Sequence, residues 1–358
     1  MRKLILILIL AGLASTFLKA NPAVVAGVRE EYLAKMEVWN LSMQAASTVE
    51  EQQKRWAERP DELLYAGKMW TALRPSLAQD SSLDSAAWLL KLLCSQPAQG
   101  MSSEWAALRK EVVSQVLADV QKYHLGSDKM AAMCLGLYAT RDSNSLKLLE
   151  RIEKENPSKE VQGVAALAIS MLLQDLSDDA SMMQRRLTLI RKAIIESAHV
   201  EIDGVSVAKM AEDQLYLIRY LSKNRVAPDL EGVDVAGVSG KLSEYAGKVV
   251  VLLFWNSTMV DQERVLEIQR QMVKKMAGKP FVLLGVTNDP LANVRAMQAE
   301  GVVTWRNFLD TKGEMAKQYR VQNRPICYVL DHERKIQYVG MPGSFVELSA
   351  DALLMDVK

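Results

Sequence analysis

Apolar residues recur at three- and four-residue intervals from Ala23 to Arg225, and this spacing predicts helix after helix with short breaks. No strand pattern interrupts the stretch, so we expect it to be purely helical. The predicted helices are Val24–Ala46, Val49–Glu58, Glu62–Leu73, Leu83–Cys94, Ser103–Tyr123, Lys129–Ala139, Ser143–Glu155, Lys159–Leu176, Ser181–Ser197 and Ala208–Lys223. Their spacing follows no strict period, which indicates irregular α-hairpins.

The pattern changes after residue 225, where continuous apolar runs replace the helical spacing. Val249–Trp255 and Pro280–Val286 are apolar and rich in β-branched residues, as expected of strands that are buried on both faces. The amphipathic stretch Val260–Met276 lies between them, so the three segments predict a βαβ unit. With the further runs Arg324–Asp331 and Lys335–Gly340, they predict a mixed sheet of four or five strands flanked by helices.

These segments resemble a known domain family. The lead-in Lys241–Lys248, the strand that ends in Phe254 and Trp255, and the loop and strand from Arg324 to Asp331 are similar to the bacterial redoxin group, the AhpC/TSA or TlpA-like thioredoxin domains. The resemblance extends over roughly Ala227 to Gly340. It implies a thioredoxin fold, but it does not by itself carry an activity.

The chain also resembles a subgroup of envelope proteins in which a helical region precedes the redoxin domain. The segments that carry this resemblance are Gly285–Asp289 and Val302–Asp310, while Asn156–Ala168 is similar to a HEAT-like repeat. The predicted fold class is therefore α followed by α/β. An irregular α-hairpin (HEAT/TPR-like) region is expected at residues 21–225 and a thioredoxin fold at residues 226–358. The helical region either presents a surface to partners or covers the redoxin domain.

The redoxin active site is the point of departure from the family. Where the family has Cys-x-x-Cys, this chain has Met259 and Gln262. A thioether forms no thiolate and an amide forms no disulfide, so the usual thiol exchange lacks both of its groups. The resemblance then leaves a redox-inactive module that keeps the peptide-binding groove. The expected groove residues are Trp255, Thr258, Met259, Gln262, Arg324 and Pro325. We expect a cis peptide bond before Pro325 and Trp255 beneath or beside the Met259 loop.

The helix after this loop has a recognisable start in the sequence. Thr258 and Asp261 have the spacing of an N-cap residue and an acidic third residue, so the helix is predicted to begin just after Thr258. Acidic residues in the first turn also offset the positive end of the helix dipole. Nothing in this pattern favours an activated nucleophile.

Three cysteines remain, and they leave an alternative open. Cys327 lies in the segment that packs near the active-site helix in this fold, so a thiol-disulfide oxidoreductase or antioxidant-type enzyme that uses Cys327 is the second hypothesis. A buried, unreactive thiol is the simpler interpretation. Cys94 and Cys134 lie in predicted helices, and a disulfide between them stays open because sequence alone gives no geometry.

The first 20 residues have the order of a secretory leader. Arg2 and Lys3 form a basic start, Leu4–Leu13 is apolar, and Ala20 is a small residue before a cut. The apolar run is shorter than a membrane span. We therefore expect cleavage near Ala20, a periplasmic or secreted protein, and no membrane span after cleavage.

Charge and histidine content limit the classes of partner and ligand that the sequence predicts. The 44 basic and 43 acidic residues are mixed along the chain, and the leader contributes three of the basic ones, so nothing indicates a nucleic-acid partner. His124, His199 and His332 lie far apart and show no metal-binding spacing. We expect no metal, no cofactor, and a protein or peptide partner.

Overall fold

The structure, a computed structural model, describes residues 22–46, 48–95, 101–174, 176, 179–259 and 261–356. The predicted leader therefore lies outside the described residues. Ten α-helices lie in the described part of the chain up to residue 220, close to their predicted positions. They are α1 Pro22–Ala45, α2 Val49–Ala57, α3 Glu62–Leu73, α4 Leu83–Cys94, α5 Ser103–Asp119, α6 Ala131–Ala139, α7 Ser143–Glu155, α8 Lys159–Leu173, α9 Ala180–Ser197 and α10 Val207–Tyr220.

The helical region is built around α8, whose residues are nearly all buried between α6, α7 and α9. Small residues allow this close packing. A Cβ atom on Gly163 would lie 2.4 Å from the Ser197 hydroxyl of α9, and one on Gly136 would lie 2.8 Å from the Ala87 backbone of α4. Most of the other helices contribute apolar side chains to the same core.

The expectation of a purely helical region is wrong at one place. A short antiparallel hairpin, β1 Glu201–Ile202 and β2 Val205–Ser206, joins α9 to α10. Its turn residues Asp203 and Gly204 have φ values of +51° and +79°. An Asp-Gly pair with both residues at positive φ is the favoured two-residue hairpin turn. Each strand has only two residues, too few to show alternation in the sequence.

The described residues after α10 form a second region, which contains the predicted mixed sheet, its helices and a separate hairpin. Its elements are β3 Glu231–Val233, β4 Ser239–Lys241, β5 Val249–Trp255, α11 Gln262–Lys275, β6 Phe281–Thr287, α12 Leu291–Ala299, β7 Arg306–Leu309, α13 Glu314–Gln318, β8 Ile326–Leu330, β9 Ile336–Gly340 and α14 Ser344–Asp356. Five strands pair in the order β7-β6-β5-β8-β9, and β3 pairs with β4 as a separate hairpin. Strands β5, β6 and β7 are parallel, whereas β8 and β9 run antiparallel to their neighbours. A central strand buried on both faces explains the continuous apolar run in β5.

The two faces of the sheet pack against different helices. Alternate β5 residues ending in Trp255 face α11, α12 and α14, and the set ending in Phe254 faces α13 and the end of α10. The helical region therefore meets the sheet through α10, where Arg320 pairs with Asp213 at 3.0 Å and stacks on Tyr216. None of the described helices is both long and apolar enough to cross a membrane.

Candidate functional site

The loop between β5 and α11 begins at the carboxyl end of the central strand. Thr258 does not cap the helix as the sequence predicted: its hydroxyl is 3.2 Å from Asn256 Oδ1, and α11 begins four residues later, at Gln262. Asp261 precedes the helix in a left-handed conformation, with φ of +54°, and its side chain makes no capping bond. Val260 lies outside the described residues. Thr258 and Asp261 thus belong to a loop and do not form the N-cap that their spacing predicted.

Three expected groove residues are buried: Trp255 and Met259 on the β5 side, and Pro325 before β8. Trp255 is fully buried, and its indole Nε1 donates to Asn307 Oδ1 at 2.9 Å. Met259 is 8% exposed and packs in the core between the sheet and α11. This corrects the expectation that Trp255 lines a binding surface, because a side chain paired inside the core offers nothing to a partner. Trp255 and Met259 belong to the same buried cluster, and the placement of Trp255 beneath or beside the loop stays a prediction.

The chain closes tightly around Trp255 from the next strand. A Cβ atom on Gly285 of β6 would lie 1.9 Å from Asn307 Oδ1 and 3.0 Å from Trp255 Nε1. Only glycine fits this position. The amide of Asn307 also donates to Trp305 O at 2.8 Å, so both ends of the buried Asn307 side chain are hydrogen-bonded.

The loop before β8 meets the end of β5 from the other side. Phe254 pairs with Ile326, which places Pro325 beside the Trp255 end of the strand. The Arg324–Pro325 peptide bond is cis, and this confirms the prediction. Pro325 is buried, whereas Arg324 is half-buried and the preceding Gln322 and Asn323 are exposed.

A buried carboxylate that the sequence analysis did not single out holds the β5 loop in place. Asp289, after β6, accepts hydrogen bonds from the Ser257 amide at 2.8 Å and from the Ser257 hydroxyl at 3.0 Å. Asp289 is 4% exposed, and burial raises the pKa of its carboxyl while the bonds from Ser257 and the charge of Arg324 lower it. The sequence signal that could have identified Asp289 was its position just after a parallel strand, because the carboxyl ends of β5 and β6 lie at one edge of the sheet.

Three of the predicted groove residues stay accessible at this edge. Thr258, Gln262 and Arg324 are all half-buried. Asn288, after β6, is exposed beside them, with Asn256 Nδ2 3.5 Å from its Oδ1. The accessible surface is therefore made of amide, hydroxyl and guanidinium groups over a buried apolar floor.

Part of the chain matches a known protein family. Residues 224–339 match the AhpC/TSA family. This segment is an AhpC/TSA domain. No curated protein matches the chain.

Solved structures similar to the chain include three redox proteins. The thioredoxin domain of a thiol-disulfide oxidoreductase from Bacteroides vulgatus is 21% identical with a TM-score of 0.34, over 37% of this chain and 98% of that one. Peroxidoxin BcpB from Mycobacterium tuberculosis is 20% identical with a TM-score of 0.32, over 38% and 95%. A thiol:disulfide interchange protein of the thioredoxin family from Chlorobium tepidum is 21% identical with a TM-score of 0.33, over 37% and 98%.

The only cysteine of the AhpC/TSA domain lies in the sheet. Cys327 is fully buried on β8, opposite Leu253 of β5 and Gly340 of β9, and burial raises the pKa of its thiol far above the usual range. A thiol held neutral in this way is a poor nucleophile. Cys94 and Cys134 are free thiols as well, so the helical region holds no disulfide between them.

Proposed function

We propose that this protein is an exported, redox-inactive binding module of the cell envelope, in which the AhpC/TSA domain holds an extended segment of a protein or peptide. The observation that carries the proposal is the replacement of both reactive groups. Met259 and Gln262 occupy the family's thiol positions, and the domain's single cysteine, Cys327, is fully buried in the sheet. Thiol exchange requires an accessible thiolate, and none of these three groups supplies one.

Binding is supported by what remains at the edge. Ligands of open α/β sheets bind outside the carboxyl ends of the parallel strands. In this domain the loops after β5 and β6 and the loop that holds Arg324 meet at that place. Thr258, Gln262 and Asn288 offer hydrogen-bonding side chains there. An extended segment can also use main-chain hydrogen bonds, which need no thiol.

Export is supported by the basic-apolar-small order of the first 20 residues. Mass spectrometry of the protein from its native host is expected to find an N-terminus near Asn21. An intact Met1 on a cytoplasmic protein would overturn this part of the proposal.

The redox part is tested by insulin reduction with dithiothreitol, using residues 21–358 with thioredoxin as the positive control. We expect the rate to equal that of dithiothreitol alone, both for the natural chain and for Cys327→Ala. A rate above background that disappears in Cys327→Ala would instead establish the one-thiol enzyme.

The binding part is tested by selecting phage-displayed random dodecapeptides on residues 21–358. The selected peptides are then titrated into the ¹⁵N-labelled protein. The amide signals of Ser257, Asn288 and Asn323 are expected to shift. The signal of Lys248, which lies at the opposite end of β5, serves as the control and is expected to stay unchanged. No enriched peptide, or shifts confined to other surfaces, would overturn the proposal.

A further inference from the structure

Arg324 is a half-buried guanidinium at this edge for which the described residues supply no partner. The side chain is half-buried and its Nε atom is fully buried, yet no hydrogen bond or ion pair to it is found in the described part of the chain. Burial lowers the pKa of Arg324, and the nearby carboxylates of Asp310 and Asp289 raise it. The charge is therefore drawn out of solvent without receiving the acceptors that usually accompany a buried guanidinium.

The two nearby carboxylates are already hydrogen-bonded to other donors. Asp310 accepts the Met315 and Ala316 amides of α13 at 3.1 Å and 2.9 Å, one on each oxygen. Asp289 uses both of its oxygens on Ser257. They supply an attractive field to Arg324 but none of its hydrogen bonds, so the donors of the guanidinium remain available to a ligand.

The other arginines of this domain show that the fold can satisfy such a group. Arg306 of β7 bonds to Asp234 at 2.8 Å, to the Tyr245 hydroxyl and to two main-chain carbonyls. Two further arginines have a buried nitrogen without a hydrogen bond, but Arg320 pairs with Asp213 at 3.0 Å and Arg334 with Asp229 at 3.6 Å. Among the arginines of this domain that have a buried nitrogen without a hydrogen bond, Arg324, the residue beside the candidate groove, is thus the one for which the described part of the chain also supplies no ion pair.

We propose that Arg324 binds a carboxylate of the peptide held in the groove, and so selects acidic segments or free C-termini. This inference rests on the proposed binding function and adds its chemical specificity. A carboxylate matches the planar fork of a guanidinium with two parallel hydrogen bonds, a geometry that lysine cannot reproduce. The remaining contacts, from Thr258, Gln262 and Asn288, are polar but uncharged at this edge.

The test repeats the dodecapeptide selection in parallel on residues 21–358 with and without Arg324→Gln. Arg219→Gln, which removes an exposed arginine from α10, is the matched control. We expect the natural chain and the control to enrich Asp or Glu at one position, or a free C-terminus, and Arg324→Gln to lose that preference. Circular dichroism and thermal melting establish that each variant is folded.

Fluorescence polarisation with the enriched peptide then measures the pairing and separates the two sources of carboxylate. Two variants of the peptide identify which carboxylate is bound: one has the acidic residue changed to its amide, and the other has an amidated C-terminus. Removing the bound carboxylate is expected to weaken binding of the peptide to the natural chain about tenfold, which corresponds to about 1.4 kcal/mol. The same change in the peptide is expected to have no effect on binding to Arg324→Gln. Arg324→Lys is expected to bind less well than the natural chain because it keeps the charge but loses the fork.

The outcomes separate the two proposals. Peptides that bind the groove without acidic preference, and equally well to Arg324→Gln, would overturn the carboxylate proposal and leave the binding function intact. Failure to enrich any peptide on any variant would overturn both.

Discussion

The helical region and the AhpC/TSA domain each draw a basic side chain out of solvent, and they treat it in opposite ways. His124 ends the π-helical turn Val120–His124 after α5 and is 1% exposed, with Nδ1 2.7 Å from Asp80 Oδ1 and Nε2 2.6 Å from Leu77 O. Each ring nitrogen of His124 therefore has a hydrogen-bond partner. Arg324 has no such partners in the described part of the chain. A buried group with all of its partners serves the fold, and in our proposal the unpartnered guanidinium at the loop edge serves a ligand.

The largest expected effect is on the free energy of unfolding, and it tests the difference between His124 and Arg324. His124→Ala removes the contact to Leu77 O and one of the two side-chain partners of Asp80, and it opens a cavity. We therefore expect a loss of about 3 kcal/mol in the free energy of unfolding. Arg324→Gln removes no internal bond and is expected to change that free energy by less than about 1 kcal/mol. Urea unfolding followed by circular dichroism measures both.

Peptide affinity should respond in the reverse order. His124→Ala, studied where it is still folded, is expected to bind the selected peptides as the natural chain does. Equal stability losses in the two variants would show that Arg324 is a structural residue like His124, contrary to the comparison.

The sequence predicted the fold well wherever periodicity persisted over many residues. The ten helices described before residue 221 and four of the five strands of the sheet follow from their apolar pattern, whereas the short edge strand β7 was not singled out. The hairpin at Asp203–Gly204 was missed although its Asp-Gly pair was a readable turn signal, because its strands are two residues long. Short elements carry too few positions for a period.

The site was harder to predict because its properties are set by residues distant in the sequence. The cis peptide bond before Pro325 was predicted correctly from the resemblance to the redoxin family. The burial of Trp255 depends on Asn307, which follows 52 residues later, and the left-handed Asp261 delays the helix in a way that capping preferences do not reveal. The hydrogen bonds between Asp289 and Ser257 likewise depend on the fold, because they form where two loops meet at one edge of the sheet.

A smaller effect is expected for the tryptophans beneath the site, and it sharpens the difference between paired and unpaired groups. Trp255→Phe removes the indole donor and leaves Asn307 Oδ1 buried without it, which we expect to cost about 2 kcal/mol. Trp305 is a matched control, because its Nε1 is buried and has no hydrogen-bond partner in the described part of the chain. Trp305→Phe removes a donor that satisfies nothing and is expected to cost about 1 kcal/mol or less. Thermal and urea unfolding compare the two, and equal losses would mean that ring volume alone decides.

The smallest expected effect concerns two carboxylates whose pH dependences have opposite signs. Hydrogen bonds from Ser127 and His124 lower the pKa of Asp80, whereas burial raises that of Asp289. The contribution of Asp80 is fully present above its unfolded pKa of about 3.9 and is lost as the pH falls through the lower folded value. The contribution of Asp289 is fully present below about 3.9 and is lost as the pH rises through its higher folded value.

Asp80→Asn and Asp289→Asn remove these titrations one at a time, and urea unfolding between about pH 3 and about pH 7 spans both windows. As the pH falls, the stability lead of the natural chain over Asp80→Asn is expected to shrink, because the carboxylate that Ser127 and His124 hold becomes protonated. Its lead over Asp289→Asn is expected to grow, because protonation relieves a charge buried beside an arginine that forms no bond to it. If both leads shrank on acidification, Asp289 would behave as a carboxylate stabilised by its partners, and the edge that holds Arg324 would be as well satisfied as the pocket that holds His124.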